Sequence, residues 1–261
     1  MTVARDRLAG WLPPVVLFVV VLVVWEGASI LLGIKSFLLP RPSLIAGQLV
    51  ALWPATLSRG VLFTAAEALS GLLVGVTAGT VIGLAAARWV TARETLLPIA
   101  IGASTVPIIA FAPIAINWFG PESMLPRTII VALMVFFPVM VNTIRGLTQV
   151  EPAALELMTS YAASDWLILT RLRVPNALPY WFTALRIATT LSVIGAVVGE
   201  FFGGPLYSLG IFITNRTGVS NYPDAWAAIV LACALGIFFY LAVIGLERIV
   251  MPWQAARESG R

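Results

Sequence analysis

Three glutamates interrupt otherwise apolar stretches: Glu26 between Trp11 and Leu32, Glu67 between Val61 and Ala87, and Glu200 in Gly199-Glu200-Phe201-Phe202-Gly203-Gly204-Pro205. A carboxylate at membrane depth is costly, so each needs a partner, a water-filled cavity or an ion. Two chemistries are open to them. They could be coupling-ion sites, as in a secondary transporter or channel that uses Glu67 and Glu200, or buried pairs that join helices. Glu26 lies within sequence reach of Lys35 and suits an anchor at the membrane interface. Glu67 has Arg59 or Arg127 as a partner. Glu200 is the deepest, either lining a path or buried in a pair. Ser104, Thr105, Phe111 and Asn117, on one proline-broken stretch, are the other residues suited to line a translocation path.

The remaining reactive groups exclude more than they offer. The absence of histidine removes Ser-His-Asp chemistry and His-ligated metals. Cys233 is alone in an apolar run, which excludes an intrachain disulfide and a cysteine zinc site. The aspartates, Asp6, Asp165 and Asp224, all lie outside the depths of apolar runs, against a paired-aspartate intramembrane protease. Lys35 is the only lysine, and Ile34 precedes it where a phosphate-binding loop needs glycine. No catalytic residue, cofactor or metal is expected here, and any ATP must be bound by another chain.

The elements that position these residues are membrane helices. Of 261 residues, 60% are hydrophobic and 11% charged, with a mean hydropathy of +0.97. Soluble domains carry about 25% charge, so much of this surface must face lipid. About 20 apolar residues cross the hydrocarbon layer. Six spans are expected: 11–32, 61–87, 95–119, 128–144, 187–213 with Glu200 inside it, and 225–246. The first run is long and lacks a clear small-x-small site after it, so it reads as a retained helix rather than a signal peptide. With the N-terminus inside, eleven of the sixteen Lys and Arg fall on the cytoplasmic side and five outside. This bias places both termini in the cytoplasm. The basic balance is thereby topological and calls for no nucleic-acid partner.

Within the second span Gly71, Gly75, Gly79 and Gly83 recur every four residues and form a ridge for close helix approach, in a core, a subunit interface or a sliding surface. Pro98, Pro107 and Pro113 break or kink the third span, and Pro138 the fourth. The longest hydrophilic stretch, 145–186, reads as a compact protrusion. Glu151-Pro152 starts one short helix, and Ser164 or Asp165 caps a second, which should stop near Pro175. The plain alternative for Trp166, Leu169 and Leu172, with Arg171 and Arg173, is an amphipathic helix lying at lipid headgroups.

Glu156-Leu157-Met158-Thr159-Ser160-Tyr161-Ala162-Ala163-Ser164-Asp165-Trp166, followed by Arg173-Val174-Pro175-Asn176-Ala177-Leu178-Pro179, resembles the EAA loop of binding-protein-dependent ABC importer permeases. The similarity extends over nearly the whole chain. Trp25-Glu26, Leu39-Pro40-Arg41-Pro42, the glycine ladder, Pro107 through Trp118-Phe119-Gly120, Asn142-Thr143 and Gly199-Glu200 resemble the nitrate/taurine/alkanesulfonate branch. Glu67 stands where many members of that branch have arginine. With Pro107-Ile108-Ile109-Ala110-Phe111-Ala112-Pro113 it resembles the permeases for pyrimidine vitamin precursors or riboflavin. Ala162 occupies the family's usual glycine, so the loop either turns differently or stays helical.

The resemblance implies an all-α integral membrane protein in a type I ABC importer permease-like bundle, multi-pass in a bacterial inner membrane. An N-terminal helix and extracytoplasmic connection would cover 1–56, a permease core 57–250 with its coupling loop at 150–175, and a cytoplasmic tail 251–261. Glu156, Leu157, Met158, Tyr161, Ala162, Ala163, Asp165 and Pro175 would couple to a cytoplasmic ATPase that binds ATP and Mg. A second permease copy, identical or not, would complete the path in the lipid bilayer. An extracytoplasmic binding protein would deliver the solute and set most of the selectivity.

Overall fold

A computed structural model describes residues 2–253, with side chains from Leu12 onward. Arg5, Arg7, Arg257 and Arg261, used in the charge count, and the tail beyond residue 253 lie outside the described side chains. Every regular element among the described residues is helical. Five helical runs are long and apolar enough to cross a membrane: Leu12–Leu31, Pro42–Arg88, Leu125–Thr148, Asp165–Glu200 and Tyr222–Val250. A sixth counts only if Val90–Ser104 and Ile108–Phe119, bent by 73° to one another, are one broken span.

Helix α1 (Thr2–Leu31) is followed by α2 (Pro42–Leu52), a helix that lies between the expected first and second spans. Pro42 in its first turn costs it no hydrogen bond, since those amides have no intrahelical acceptor. A π-helical turn at Trp53–Leu57 joins it to α3 (Ser58–Arg88). The third span is broken where the prolines predict. Helix α4 (Val90–Ser104) ends before Pro107, and a short 3-10 turn at Ile108–Phe111 leads into α5 (Ala112–Phe119). Then come α6 (Leu125–Thr148), α7 (Pro152–Ser160), α8 (Asp165–Ile168), α9 (Val174–Glu200), α10 (Leu209–Gly218) and α11 (Tyr222–Val250).

The fifth span departs from its expected bounds of 187–213. Helix α9 starts earlier and ends at Glu200, with a turn before α10. Arg186 thereby lies inside the helix, and Glu247 of α11 neutralises it, with Nε donating to Oε2 at 2.9 Å. The far end stops because the amides of Phe201, Phe202 and Gly203 turn back onto the carbonyls of Val198, Gly199 and Glu200. Pro205 then disfavours helix at Gly204. Nor does the second loop helix stop near Pro175. A π-helical turn at Leu169–Arg173 carries α8 into α9, and Pro175 falls in the first turn of α9, where its missing donor is harmless.

Helix α6 is the centre of the bundle, packed between α3 and α9. Val131, Val135 and Val139 of α6 are fully buried with Ala68 of α3 and Ala184, Ala188 and Ala196 of α9. The glycine ridge permits this approach. A Cβ at Gly75 would lie 2.6 Å from the Ala132 carbonyl oxygen, at Gly79 2.8 Å from that of Phe136, and at Gly83 2.8 Å from Thr143 Cβ. Of the readings open to the ridge, the structure selects packing within one chain. A second cluster joins Ile45 of α2 and Leu57 to Leu209 and Phe212 of α10 and Ala227 and Ala228 of α11. Helix α1 is the exception, for only 6% of its apolar stretch is buried.

Candidate functional site

The α7–α8 segment is a helical projection with a defined turn. Pro152 opens α7, with Glu151 in extended conformation before it. At its end the Ala163 amide donates to the Met158 carbonyl at 3.0 Å and the Ala162 amide to that of Thr159 at 2.9 Å. This is the paired hydrogen-bond closure that requires a left-handed residue after the helix. Ala162 supplies it with φ of 53°. The turn usually built on glycine is therefore kept, with alanine carrying strain of roughly 1–2 kcal/mol. Ser164, rather than Asp165, caps α8, its Oγ accepting from the Leu167 amide at 3.3 Å.

Seven of the eight candidate coupling residues lie on this projection: Glu156, Leu157 and Met158 on α7, Tyr161, Ala162 and Ala163 in the turn, and Asp165 at the start of α8. Glu156, Asp165 and Ala162 are exposed, while Met158 and Ala163 are half-buried. Pro175 stands apart in the first turn of α9. The projection presents large apolar side chains to the outside: Leu157 is 58% exposed, Tyr161 79% and Trp166 71%. With Glu156 and Asp165 among them, the surface combines apolar contact area with negative charge.

The projection is tied to the bundle by a residue outside the candidate set. Asn176 Nδ2 donates to the carbonyls of Gly146 at 2.8 Å and Gln149 at 3.0 Å. One amide thus clamps the start of α9 to the end of α6. Gly146 permits the contact, since a Cβ there would lie 2.7 Å from Ala177 Cα. Asn176 stands inside the loop motif, but its carbonyl partners lie about thirty positions back and leave no mark in the sequence.

The bend in the third span opens a cavity of about 340 Å³ lined by Ser104, Thr105, Pro107, Met134, Phe137 and Leu191, among others. Two of the five path candidates, Ser104 and Thr105, line it. Their hydroxyls donate to Ile101 and Gly102 carbonyls of their own helix at 2.7 Å, so they present their lone pairs outward. Phe111 and Asn117 are exposed on the second limb of the bend. Glu200 is not brought together with these four. It is fully buried at the end of α9, where its carboxylate accepts from Thr64 Oγ1 at 2.7 Å and the Gly210 amide at 2.6 Å.

The other two intramembrane acids are also held by protein donors. Arg127, not Arg59, pairs with Glu67. Glu26 is bound by Ser43 rather than Lys35, accepting from its amide at 3.0 Å and its hydroxyl at 2.7 Å. Lys35 Nζ lies instead 5.9 Å over the Phe37 ring. The carboxylate of Glu26 therefore fastens the end of α1 to the start of α2.

Comparison with known proteins places this architecture. Residues 75–254 match the family described as binding-protein-dependent transport system inner membrane component. The chain is 32% identical over 243 residues to the formylaminopyrimidine transport permease protein ThiX of Halalkalibacterium halodurans, covering 93% of this chain and 96% of that one. It is 31% identical to the riboflavin transport system permease protein RibX of Chloroflexus aurantiacus, over 92% and 90% of the two chains. It is 25% identical to the taurine transport system permease protein TauC of Escherichia coli, over 90% and 86%. The chain thus belongs to the binding-protein-dependent ABC permease family, in the nitrate/taurine/sulfonate branch with its vitamin-precursor members, and is a transmembrane transport subunit.

Proposed function

We propose that this chain is the path-forming subunit of an ATP-driven importer, and that its 150–175 loop docks on a separate cytoplasmic ATPase. The single observation that carries this reading is the α7–α8 projection. It exposes Leu157, Tyr161 and Trp166 around Glu156 and Asp165, while Asn176 fixes its base to α6. Apolar side chains turned outward from a clamped helical projection call for a partner surface. Nucleotide closure of the ATPases would move both projections and rock the bundle between inward- and outward-open states.

On this reading the chain is multi-pass in a bacterial inner membrane with both termini cytoplasmic. Residues 1–56 supply the N-terminal transmembrane helix and an extracytoplasmic connection, 57–250 the permease core and 251–261 a cytoplasmic tail. Two permease copies enclose the path, ATP and Mg stay with the ATPase, and an extracytoplasmic binding protein delivers the solute. The chain itself holds no cofactor and performs no catalysis. Ser104, Thr105, Phe111 and Asn117 line the path, and Glu200 braces its outer end.

The solute belongs to the small heterocyclic class, as the names of the two relatives above 30% identity support. The side chains lining the bend cavity are hydroxyl, aliphatic, thioether and aromatic, with no ionisable group among them. Such walls suit an uncharged ring better than a sulfonate, whose charge would need a compensating donor. Co-purification of the chain with its partners, followed by a ligand screen on the binding protein, tests both parts. Recovery of an ATPase and a binding protein that retains a heterocycle is expected. Uptake by the purified chain alone, driven by an ion gradient without ATP, would overturn the reading.

A further inference from the structure

A second cavity, of about 510 Å³, opens beside the base of the projection, between the end of α3 and the π-helical turn that precedes α9. Its walls are of two kinds. Leu84, Leu147 and Ile168 form an apolar side, while Arg88 and Arg173 bring two guanidinium groups and Asp165 one carboxylate. Among the described residues the ion pairs are Arg127–Glu67, Arg186–Glu247 and Arg216–Asp224, so neither cavity arginine is matched by a carboxylate within 4 Å. The cavity therefore carries a net positive charge. Trp89, 59% exposed on its rim, stands at the end of a membrane-length helix, where tryptophan favours the interface. Exposed Leu84 and Val81 continue the apolar wall along the outer face of α3.

An ion such as phosphate would use the arginines and leave the apolar wall wet. An uncharged lipid would use the wall and leave the arginines unanswered. An amphiphile with an anionic head and acyl tails satisfies both. We propose that this cavity seats the headgroup of an anionic phospholipid, its phosphate between Arg88 and Arg173 and its acyl chains against Leu84 and Val81. Asp165 limits the net attraction to about one charge and favours a headgroup that places a hydroxyl beside it. Because Arg173 belongs to the turn joining the projection to α9, the bound lipid would hold the base of the projection at the membrane surface.

Native mass spectrometry of the full-length chain in detergent, mixed with phosphatidylglycerol or phosphatidylcholine, tests this. Wild type should retain phosphatidylglycerol about tenfold more than phosphatidylcholine. Arg88→Gln with Arg173→Gln should bring the ratio near parity, while Arg59→Gln, at the opposite end of α3, leaves it unchanged. Equal retention of the two lipids by wild type, or an unaltered preference in the double variant, would overturn the proposal. Displacement of the lipid by millimolar inorganic phosphate would overturn it in favour of a site for the free ion. Should the double variant fail to fold, the wild-type comparison with and without phosphate decides alone.

Discussion

Arg127 of α6 donates its Nε to Oε1 of Glu67 of α3 at 2.5 Å, and both side chains are wholly withdrawn from the surface. The remaining guanidinium donors reach the carbonyls of Pro121 at 3.0 Å, Ser123 at 2.7 Å and Gly203 at 2.7 Å. One side chain thereby joins α3, the loop before α6 and the turn after α9. Gly199 leaves room for it, with Arg127 Cγ 3.1 Å from where a Cβ would stand.

Breaking such a pair leaves an unanswered buried charge, which costs about 3–5 kcal/mol, whereas replacing both partners by apolar groups is often nearly neutral. Arg127→Met should therefore lower the melting temperature sharply in detergent. Glu67→Met combined with Arg127→Met should recover part of the loss, though not the ties to the three carbonyls. Thermal melts of the two variants check this, and a double variant worse than the single one would contradict it.

The glycine ridge gives a contrast within one chain. Gly75→Val must push into the Ala132 carbonyl and Val135, and overpacking of this kind costs about 1–3 kcal/mol. Gly102 has nothing within 4 Å of an added Cβ, so Gly102→Ala should be neutral or slightly stabilising. Melting temperatures of the two variants should separate clearly.

Ala162 holds a left-handed turn at φ of 53°. Ala162→Gly relieves strain but frees the unfolded chain, so the net change should stay within about 1 kcal/mol. Ala162→Val adds a branched Cβ at the same φ and should loosen the projection. Hydrogen exchange of the Ala163 amide, bonded to Met158, should rise in the valine variant and not in the glycine one.

Asn176→Ala removes both donors of the clamp and leaves two carbonyls to find water. A cost of about 1–3 kcal/mol is expected. On the proposed mechanism, transport should fall while the ATPase still binds, because the projection keeps its surface and loses its fixed base. Normal uptake with this variant would show that the clamp carries no coupling motion.

What the sequence revealed follows from the range of each interaction. The apolar runs, the glycine ridge and the prolines of the third span act locally or with fixed period, and the structure places helices, a close approach and a 73° break there. The fifth span starts earlier than expected, carrying Arg186 inside it against Glu247, a residue 61 positions away, and ends at the turn of Phe201, Phe202 and Gly203. Between Arg59 and Arg127 as partners of Glu67, only the tertiary fold selects Arg127. For Glu26 the partner is the uncharged Ser43 and not the charged Lys35, because Ser43 brings both an amide and a hydroxyl. The projection was legible from its capping residues and its resemblance to a known loop, whereas the Asn176 clamp and the arginine-lined cavity arise only when separate segments meet.

The proposed importer function rests most directly on docking of Glu156 against the ATPase. Glu156 is exposed on α7 and, among the described residues, its carboxylate takes part in no ion pair within 4 Å, so Glu156→Lys reverses surface charge without disturbing the bundle. The decisive measurement is solute uptake and ATP hydrolysis in proteoliposomes holding the variant with its ATPase and binding protein. Normal insertion and dimer formation are expected, with uptake reduced at least about tenfold, the equivalent of one lost charge-assisted contact. Uptake equal to wild type at the same ATPase level would contradict the docking role.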